Sequence, residues 1–359
     1  MLTKQYDASN RFYTVFDGET GFYMRSGIID GQGNDTGKDP FMADFPHLVD
    51  VGIMGHCEHG LSGKCAKAGT DCYQSGAVIS APNMPLADFA GIAEQCGGRT
   101  HQFALGGRGD PDLHEDFAGI LRACRERNIV PNYTTSGYRL SCAAIEASKR
   151  FCGAVAVSWY RAPYTMAAIE GLAGAGVKTN IHYVLSRQTI GEAVARLETD
   201  GFPDGVNAVV FLLYKAAGCG KSGSVLAPGD PDLPRFFEEL ERQHRFKVGV
   251  DSCLAPGVIA RCPGMGFEAL DACEGARFSC YISADMYMRP CSFDRSRRYA
   301  VSLGERSVRD AWHSSEFAAF RAHFLAACPA CDSRLSCLGG CALFPDIALC
   351  GKRQGLPSA

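Results

Sequence analysis

The sequence lacks the features that mark membrane, secreted and nucleic-acid-binding proteins. No window approaches the roughly 20 apolar residues that a membrane-spanning helix needs, and residues 1–7 contain no apolar signal core. The net charge is only −3, so no excess of one sign points to nucleic acid or to an anionic membrane. These absences predict a cytoplasmic globular protein with neither nucleic-acid nor membrane partners.

Cysteine, in contrast, is abundant, because the 359 residues include 18 cysteines. Disulfides are disfavoured in the cytoplasm, so metal binding is the default explanation for so many thiols. Their density rises toward the C-terminus, where five lie between positions 328 and 350. The sequence therefore predicts a cysteine-rich, metal-binding C-terminal region.

The middle of the chain alternates short apolar strands with amphipathic helices, which is typical of an α/β protein with a parallel sheet and right-handed crossovers. Six strand–helix units are too few for a complete eight-stranded barrel, so we predict an open, partial (β/α)6 barrel. The predicted strands cover residues 47–54, 101–105, 129–134, 154–158, 178–185 and 206–213.

The two ends of the chain follow other patterns. Residues 11–26 have two aromatic-rich runs around a turn at 17–21, which predicts a β-hairpin, and residues 27–46 are rich in Gly, Asp and Pro. After about residue 250 the alternation stops. We predict a hairpin and loop over 1–46, the barrel over 47–250 and the cysteine-rich domain over 251–359.

Cys57, Cys65 and Cys72 lie in a Gly-rich loop that follows the first predicted barrel strand. Barrels build their sites at the carboxyl ends of their strands, and three thiolates can hold three irons of a [4Fe–4S] cluster while the fourth iron stays open. Taken alone, the loop is equally compatible with three buried free thiols, or with a zinc site that uses His56 or His59.

Two more loops follow the next two strands. Residues 106–111, Gly-Gly-Arg-Gly-Asp-Pro, offer glycines for close backbone approach and the Asp110 carboxylate for an amino group. Residues 135–137, Thr-Ser-Gly, follow strand three. Each loop by itself also fits a plain turn.

Together these motifs resemble the radical S-adenosylmethionine (SAM) enzymes of the subgroup with a SPASM domain. The resemblance implies that the three-cysteine loop binds a [4Fe–4S] cluster whose open iron is chelated by SAM. Residues 106–111 resemble the family's Gly-Gly-Glu-Pro motif, with Asp for Glu and two residues inserted. Tyr73 stands just after the third cysteine, where the family usually has an aromatic residue just before it. The implied SAM-binding residues are Gly106, Gly107, Gly109, Asp110, Ser136, Ser158 and Tyr73.

The C-terminal cysteines resemble the pattern that binds two auxiliary [4Fe–4S] clusters in this subgroup. The implied ligands of one cluster are Cys328, Cys331, Cys337 and Cys350. Those of the other are Cys273, Cys291, Cys341 and one upstream thiol, for which Cys253 is preferred over Cys262 and Cys280. Residues 311–317 resemble the family's linking helix.

The sequence departs from the family in two places. The first loop reads CX7CX6C, whereas the family usually spaces these cysteines by three and two residues. In the C-terminal pattern Met286 replaces the usual glycine.

The remaining candidates have plainer interpretations. Helix-associated Cys96, Cys124, Cys142 and Cys152 are predicted to be core thiols, and Cys219 a loop thiol. Residues that follow strands four and six are candidates for lining a substrate cavity, although each by itself is more often structural: Tyr160, Arg161, Tyr214 and Lys215.

The resemblance implies reductive cleavage of SAM and hydrogen abstraction from a substrate, with a ribosomal peptide as the leading substrate class. The modification would be a crosslink, an epimerisation or an oxidation. A small molecule or a sulfatase-type protein side chain is the alternative substrate, and a flavodoxin or ferredoxin the implied reductant. From another class, a zinc-binding structural or interaction protein also fits CxxC pairs.

Overall fold

The structure is a computed structural model that describes residues 2–67, 70–266 and 270–352. It contains a three-stranded sheet and a ten-stranded sheet, which together use thirteen strands. The strands are β1 Leu2–Asp7, β2 Phe12–Asp17, β3 Tyr23–Arg25, β4 Leu48–Met54, β5 Gln102–Gly107, β6 Val130–Thr135, β7 Val155–Ser158, β8 Thr179–Leu185, β9 Ala208–Leu213, β10 Lys247–Val250, β11 Ser279–Ile282, β12 Tyr287–Arg289 and β13 Val301–Ser302.

Helices connect most of these strands. They are α1 Glu58–Leu61, α2 Lys64–Lys67, α3 Leu86–Cys96, α4 Phe117–Glu126, α5 Cys142–Phe151, α6 Pro163–Gly174, α7 Ile190–Glu198, α8 Leu233–Leu240, α9 Ala255–Arg261, α10 Val308–Trp312, α11 Ser315–Ala326 and α12 Arg334–Cys337. None of the described helices is long and apolar enough to cross a membrane.

The large sheet is the open, partial barrel. Strands β4 to β10 are parallel and neighbour one another in sequence order, and β11 lies parallel to β4 on its other side. All six predicted barrel strands are present as β4 to β9, so the partial-barrel prediction is confirmed. The α/β class follows from the helices between them.

Amphipathic helices cover the outer face of the barrel. In α4 the buried residues Phe117, Ile120, Leu121 and Cys124 share one face at helical spacing. In β8 the fully buried Tyr183 points outward to the helices, and the less buried His182 points to the other face. The core therefore lies between sheet and helices, and the inner face of the open barrel retains accessible polar residues.

Two strands before the C-terminal region, β1 and β10, were missing from the prediction, as were β11, β12 and β13 within that region. Strand β10 pairs with β9, with Lys247 opposite Ala208, but four residues that begin with a lysine give too short an apolar signal. Strand β1 pairs with β2, with Leu2 opposite Asp17, and its side chains are exposed on one face. The hairpin predicted within 11–26 is confirmed as β2 and β3.

The C-terminal region extends the main sheet past the predicted boundary at residue 250. Ser279 of β11 pairs with Leu48 of β4, and β12 and β13 follow antiparallel to β11 and to each other. The region predicted as one linking helix is divided between α10 and α11, because Ser314 caps a new helix by accepting from the Phe317 N–H. The domain boundaries at 46 and 250 remain predictions.

Candidate active site

The first cysteine loop leaves the carboxyl end of β4 and brings its three thiols together. Cys57 caps α1, where its Sγ accepts from the Gly60 N–H at 3.0 Å, and Cys72 Sγ accepts from the Gly76 N–H at 3.4 Å. Burial first, and then the charges of Cys57 and Cys72, raise the pKa of Cys65 to about 12. Backbone N–H groups thus already point at two of the three sulfurs, as they do around anionic sulfur sites.

His59 packs inside the same loop. Its Nδ1 lies 2.6 Å from Cys65 Sγ and its Nε2 lies 2.7 Å from the Tyr164 hydroxyl. Burial, helped by the charge of Lys64, lowers the pKa of His59 to about 4, so the ring is neutral at physiological pH. Although the thiols of this loop are near enough for their charges to interact, no three His, Cys, Asp or Glu side chains in the parts of the chain that the structure describes lie close enough together to hold a metal ion.

The glycines of the second loop are required mainly by close packing against the first. Gly107 has φ +117°, and a Cβ there would lie 2.5 Å from the Met54 carbonyl oxygen. A Cβ at Gly109 would lie 2.4 Å from the His56 carbonyl oxygen. Gly106 differs, because a Cβ there would meet nothing within 4 Å. Of the three, Gly106 is therefore the glycine that borders open space.

Asp110 is tied to the third loop. Its Oδ1 accepts from the Ser136 N–H at 2.7 Å and its Oδ2 accepts from the Ser136 hydroxyl at 2.6 Å. Burial raises the pKa of Asp110 to about 6, although both Ser136 bonds oppose the shift. The Asp110 charge also acts on Cys57 and Cys65, which places this carboxylate beside the thiols. The loops after β4, β5 and β6 thus meet at one mouth of the barrel.

Ser158 and Tyr73 make their contacts with other parts of the structure. Ser158 ends β7, where it pairs with His182 of β8. The Tyr73 ring stacks on Phe293 of the C-terminal region, with centroids 4.3 Å apart and planes 23° apart. Tyr73 therefore links the first cysteine loop to the C-terminal region, and its predicted contact with SAM remains a prediction.

The loop after β9 contacts the end of the elongated cysteine loop, at Asp71 and Cys72. The Tyr214 hydroxyl donates to Asp71 Oδ2 at 2.7 Å, and the Cys219 N–H donates to the Cys72 carbonyl oxygen at 3.0 Å. Asp71 and Cys72 are therefore tied to the barrel by contacts that the sequence did not reveal. Arg161, in contrast, forms an ion pair with Glu192 on the outer, helical side.

The C-terminal region assembles two further groups of thiols. The pKa of Cys337 is raised by burial first and then by the charges of Cys350, Cys328 and Cys331, so these four thiols are near enough to interact. In the other group, Cys253 forms a hydrogen bond with Cys341, and its charge acts on Cys273 and Cys291.

The two alternatives to Cys253 as the upstream ligand, Cys262 and Cys280, have other neighbours. Cys262 Sγ donates to the Phe237 carbonyl oxygen at 3.6 Å, and Cys280 lies near Cys96 and Asp50. Of the three upstream candidates, Cys253 is thus the one that the fold brings to Cys341.

Comparison with known proteins identifies part of this chain. Residues 273–337 match the family model of the SPASM iron–sulfur cluster-binding domain. This stretch is a SPASM domain. The match includes Cys273, Cys291, Cys328, Cys331 and Cys337, whereas Cys253, Cys341 and Cys350 lie outside the matched residues of the SPASM domain.

Solved structures share the fold of the barrel and the SPASM domain. Streptococcus suis SuiB bound to S-adenosylmethionine is 16% identical, with a TM-score of 0.63, over 84% of this chain and 74% of SuiB. The anSMEcpe protein with bound AdoMet is 14% identical, with a TM-score of 0.60, over 84% of this chain and 87% of that protein. No curated protein sequence matches the chain. Identities this low show the shared fold alone.

The thiols outside the three groups are mostly core residues, as predicted. Cys96 and Cys124 are buried, and Cys152 is partly buried. The prediction is wrong for Cys142, which is exposed because it is the first residue of α5, directly after the N-cap Ser141. Lys215 was a candidate for lining a substrate cavity, but its Nζ donates to Leu213 and Asp251 and its charge acts on the Cys253 and Cys341 thiols.

Proposed function

We propose that this protein is a radical SAM enzyme with a SAM-binding [4Fe–4S] cluster and two auxiliary [4Fe–4S] clusters. The observation that carries the proposal is the meeting of three thiols, the Asp110 carboxylate and Ser136 at one mouth of the barrel. The two thiol groups of the C-terminal region would hold the auxiliary clusters, and four thiolates suit each of them.

The residues at the mouth fit the proposed cofactors. Cys57, Cys65 and Cys72 supply three thiolates, and N–H groups donate to two of these sulfurs. Arg108 Nε is buried and has no hydrogen-bond partner among the described residues, which leaves a donor for an anionic group such as the SAM carboxylate. Asp110, held by Ser136, keeps lone pairs for the SAM ammonium group.

When bound, the cluster and SAM would supply a 5′-deoxyadenosyl radical that abstracts a hydrogen atom from the substrate. The protein residues bind and orient the reactants and exclude water. Ser136 fixes the orientation of the Asp110 carboxylate through two hydrogen bonds, so the ammonium group would meet a preformed acceptor.

The inner face of the barrel supports a peptide substrate. Asn132 donates to the Gln102 side-chain oxygen at 2.8 Å, and Thr134 Oγ1 lies 3.3 Å from His182 Nδ1. Such amide and hydroxyl groups suit the donors and acceptors of a peptide backbone. SuiB bound to the precursor peptide SuiA and anSMEcpe with bound AdoMet and the Kp18Cys peptide have the same fold. We propose a ribosomal peptide that receives a crosslink, an epimerisation or an oxidation.

The proposal includes an electron donor and a cellular compartment. A flavodoxin or ferredoxin would supply the electron, and the reducing cytoplasm is the compartment in which so many free thiols persist.

Anaerobic reconstitution tests the proposed function. The protein should turn brown, bind about eleven to twelve irons if three clusters form, and release 5′-deoxyadenosine from SAM when dithionite is added. Metal analysis and chromatography of the nucleoside check both results. Zinc in place of iron, with no 5′-deoxyadenosine, would instead support the structural zinc protein.

Asp110→Asn tests the binding of the SAM ammonium group. An asparagine can keep one acceptor for the Ser136 N–H, so the loop should remain folded, but the charge is lost. A charge-assisted hydrogen bond contributes about 1.5–3 kcal/mol, so SAM affinity should fall by roughly ten- to a hundredfold. Anaerobic titration of SAM against the cluster spectrum measures the change, and iron content should stay constant. Unchanged affinity would mean that Asp110 does no more than organise the turn.

A further inference from the structure

Lys215 is a buried lysine between the barrel and the SPASM domain. Its side chain is 3% exposed, and its Nζ donates to the Leu213 carbonyl oxygen at 2.9 Å and to Asp251 Oδ2 at 3.0 Å. Lysine is almost never buried unless it is paired, because removing the ammonium group from water is costly. The pairing with Asp251 keeps Lys215 charged.

The Lys215 ammonium group faces one of the three thiol groups. Its charge interacts with Cys253 and Cys341, and it also acts on Cys291, all of which belong to the same group. Nζ also lies 4.6 Å from the centre of the Phe293 ring. Since that ring stacks on Tyr73, which follows Cys72, Lys215 sits on the contact between the first cysteine loop and this thiol group.

A fixed positive charge at this place favours the reduced form of a cluster. Four thiolates make the bound cluster negative, and each electron that it accepts adds one more negative charge. Net charge and local electrostatics are among the main determinants of an iron–sulfur potential. Because Lys215 is buried, solvent screens its attraction only weakly.

We propose that Lys215 is a positioning residue that raises the reduction potential of the auxiliary cluster at Cys253, Cys273, Cys291 and Cys341. The inference rests on the proposed function, since it assumes that this thiol group holds a cluster. The step concerned is a one-electron reduction in which no bond to the protein forms or breaks. The electron comes from the substrate or from an external reductant. The Lys215 charge lowers the free energy of the reduced cluster relative to the oxidised cluster.

Lys215→Met removes the charge and keeps most of the volume. The interaction energy of a unit charge close to a buried cluster is large enough to change the equilibrium between its oxidised and reduced forms about tenfold. At a fixed ambient potential the ratio of reduced to oxidised cluster should therefore fall about tenfold, which corresponds to 59 mV for one electron. A dithionite titration followed by electron paramagnetic resonance measures it. The relevant signal is the one that disappears in Cys291→Ala.

Two matched variants separate charge from structure. Lys215→Arg keeps the charge and should leave the ratio within about twofold of the parent protein. Lys247→Met removes an exposed lysine at the start of β10 and should leave the ratio unchanged. The signals of the other two clusters should also stay unchanged in every Lys215 variant.

Asp251→Asn gives a prediction of opposite sign, and it remains available if Lys215→Met does not fold. Without this carboxylate, the positive charge of Lys215 is no longer offset by the negative charge of Asp251. The ratio of reduced to oxidised cluster should therefore rise severalfold. The double variant Lys215→Met/Asp251→Asn should return close to the parent ratio. A ratio unchanged within twofold in both single variants overturns the inference. An iron count that lacks the auxiliary clusters in the parent protein would instead overturn the proposed function.

Discussion

Replacing Cys57, Cys65 and Cys72 together by alanine should abolish the formation of 5′-deoxyadenosine. The three thiols lie near one another after the carboxyl end of β4 and are the proposed ligands of the SAM-binding cluster. The variant should lose about four of some twelve irons and keep the rest, because the C-terminal thiol groups are separate. Iron analysis and chromatography of the reaction with SAM and dithionite measure both quantities.

Cys142→Ala is the matched control, since Cys142 is exposed on α5 and belongs to none of the thiol groups. It should leave iron content and 5′-deoxyadenosine formation unchanged. If the triple variant still cleaves SAM, the first cysteine loop is not the site of cleavage.

Gly106→Val should prevent SAM binding without disturbing the fold. Gly106 lies in β5, valine is favoured in strands, and a Cβ at this position meets no atom within 4 Å. The added side chain would occupy the open space on the inner face at the carboxyl end of β5, four residues before Asp110. We expect SAM affinity to fall by at least about a hundredfold, equivalent to about 2.7 kcal/mol, with iron content and melting temperature unchanged. Anaerobic spectral titration and thermal unfolding measure these properties.

Substitutions at two other glycines serve as comparisons for Gly106→Val. Gly107→Val should lower the melting temperature, because its Cβ would collide with the Met54 backbone of β4. Gly91→Val, on the exposed side of α3 with open space around it, should leave SAM affinity intact. A Gly106→Val protein that binds SAM as tightly as the parent would exclude this face of β5 from the binding site.

The strands of the barrel were predictable because their apolar runs are bounded by turns and separated by one-sided helices. Strand β8, for example, carries Ile181, Tyr183 and Leu185 in strict alternation with less buried residues. Strand β10 was not predictable in the same way, because four residues that begin with Lys247 become a strand only through pairing with β9. Likewise, Cys142 reads as part of a helix face but falls on its exposed first turn.

The glycines of the second loop show a similar limit. Their number and position after β5 are visible in the sequence, and they indicate a close backbone approach. Only the structure shows that Gly107 and Gly109 approach the β4 loop, while Gly106 borders open space. The approach is set by the register of β5 against β4, which shifts between Gly52 and Met54 and which no local pattern records.

The sequence by itself determined the α/β class, the place of the three-cysteine loop after the first barrel strand, and the spacing of the C-terminal cysteines. These are local properties, since periodicity and spacing act over a few turns or strands. Only the tertiary structure decided that Cys253 rather than Cys262 or Cys280 joins Cys341, that Ser136 holds Asp110, and that Lys215 faces a thiol group. Each of these contacts joins residues far apart in the chain. The Asp110 contact exists because β5 and β6 are neighbours in the sheet, the Cys253–Cys341 contact because the C-terminal region folds back on itself, and the Lys215 contact because the barrel packs against that region.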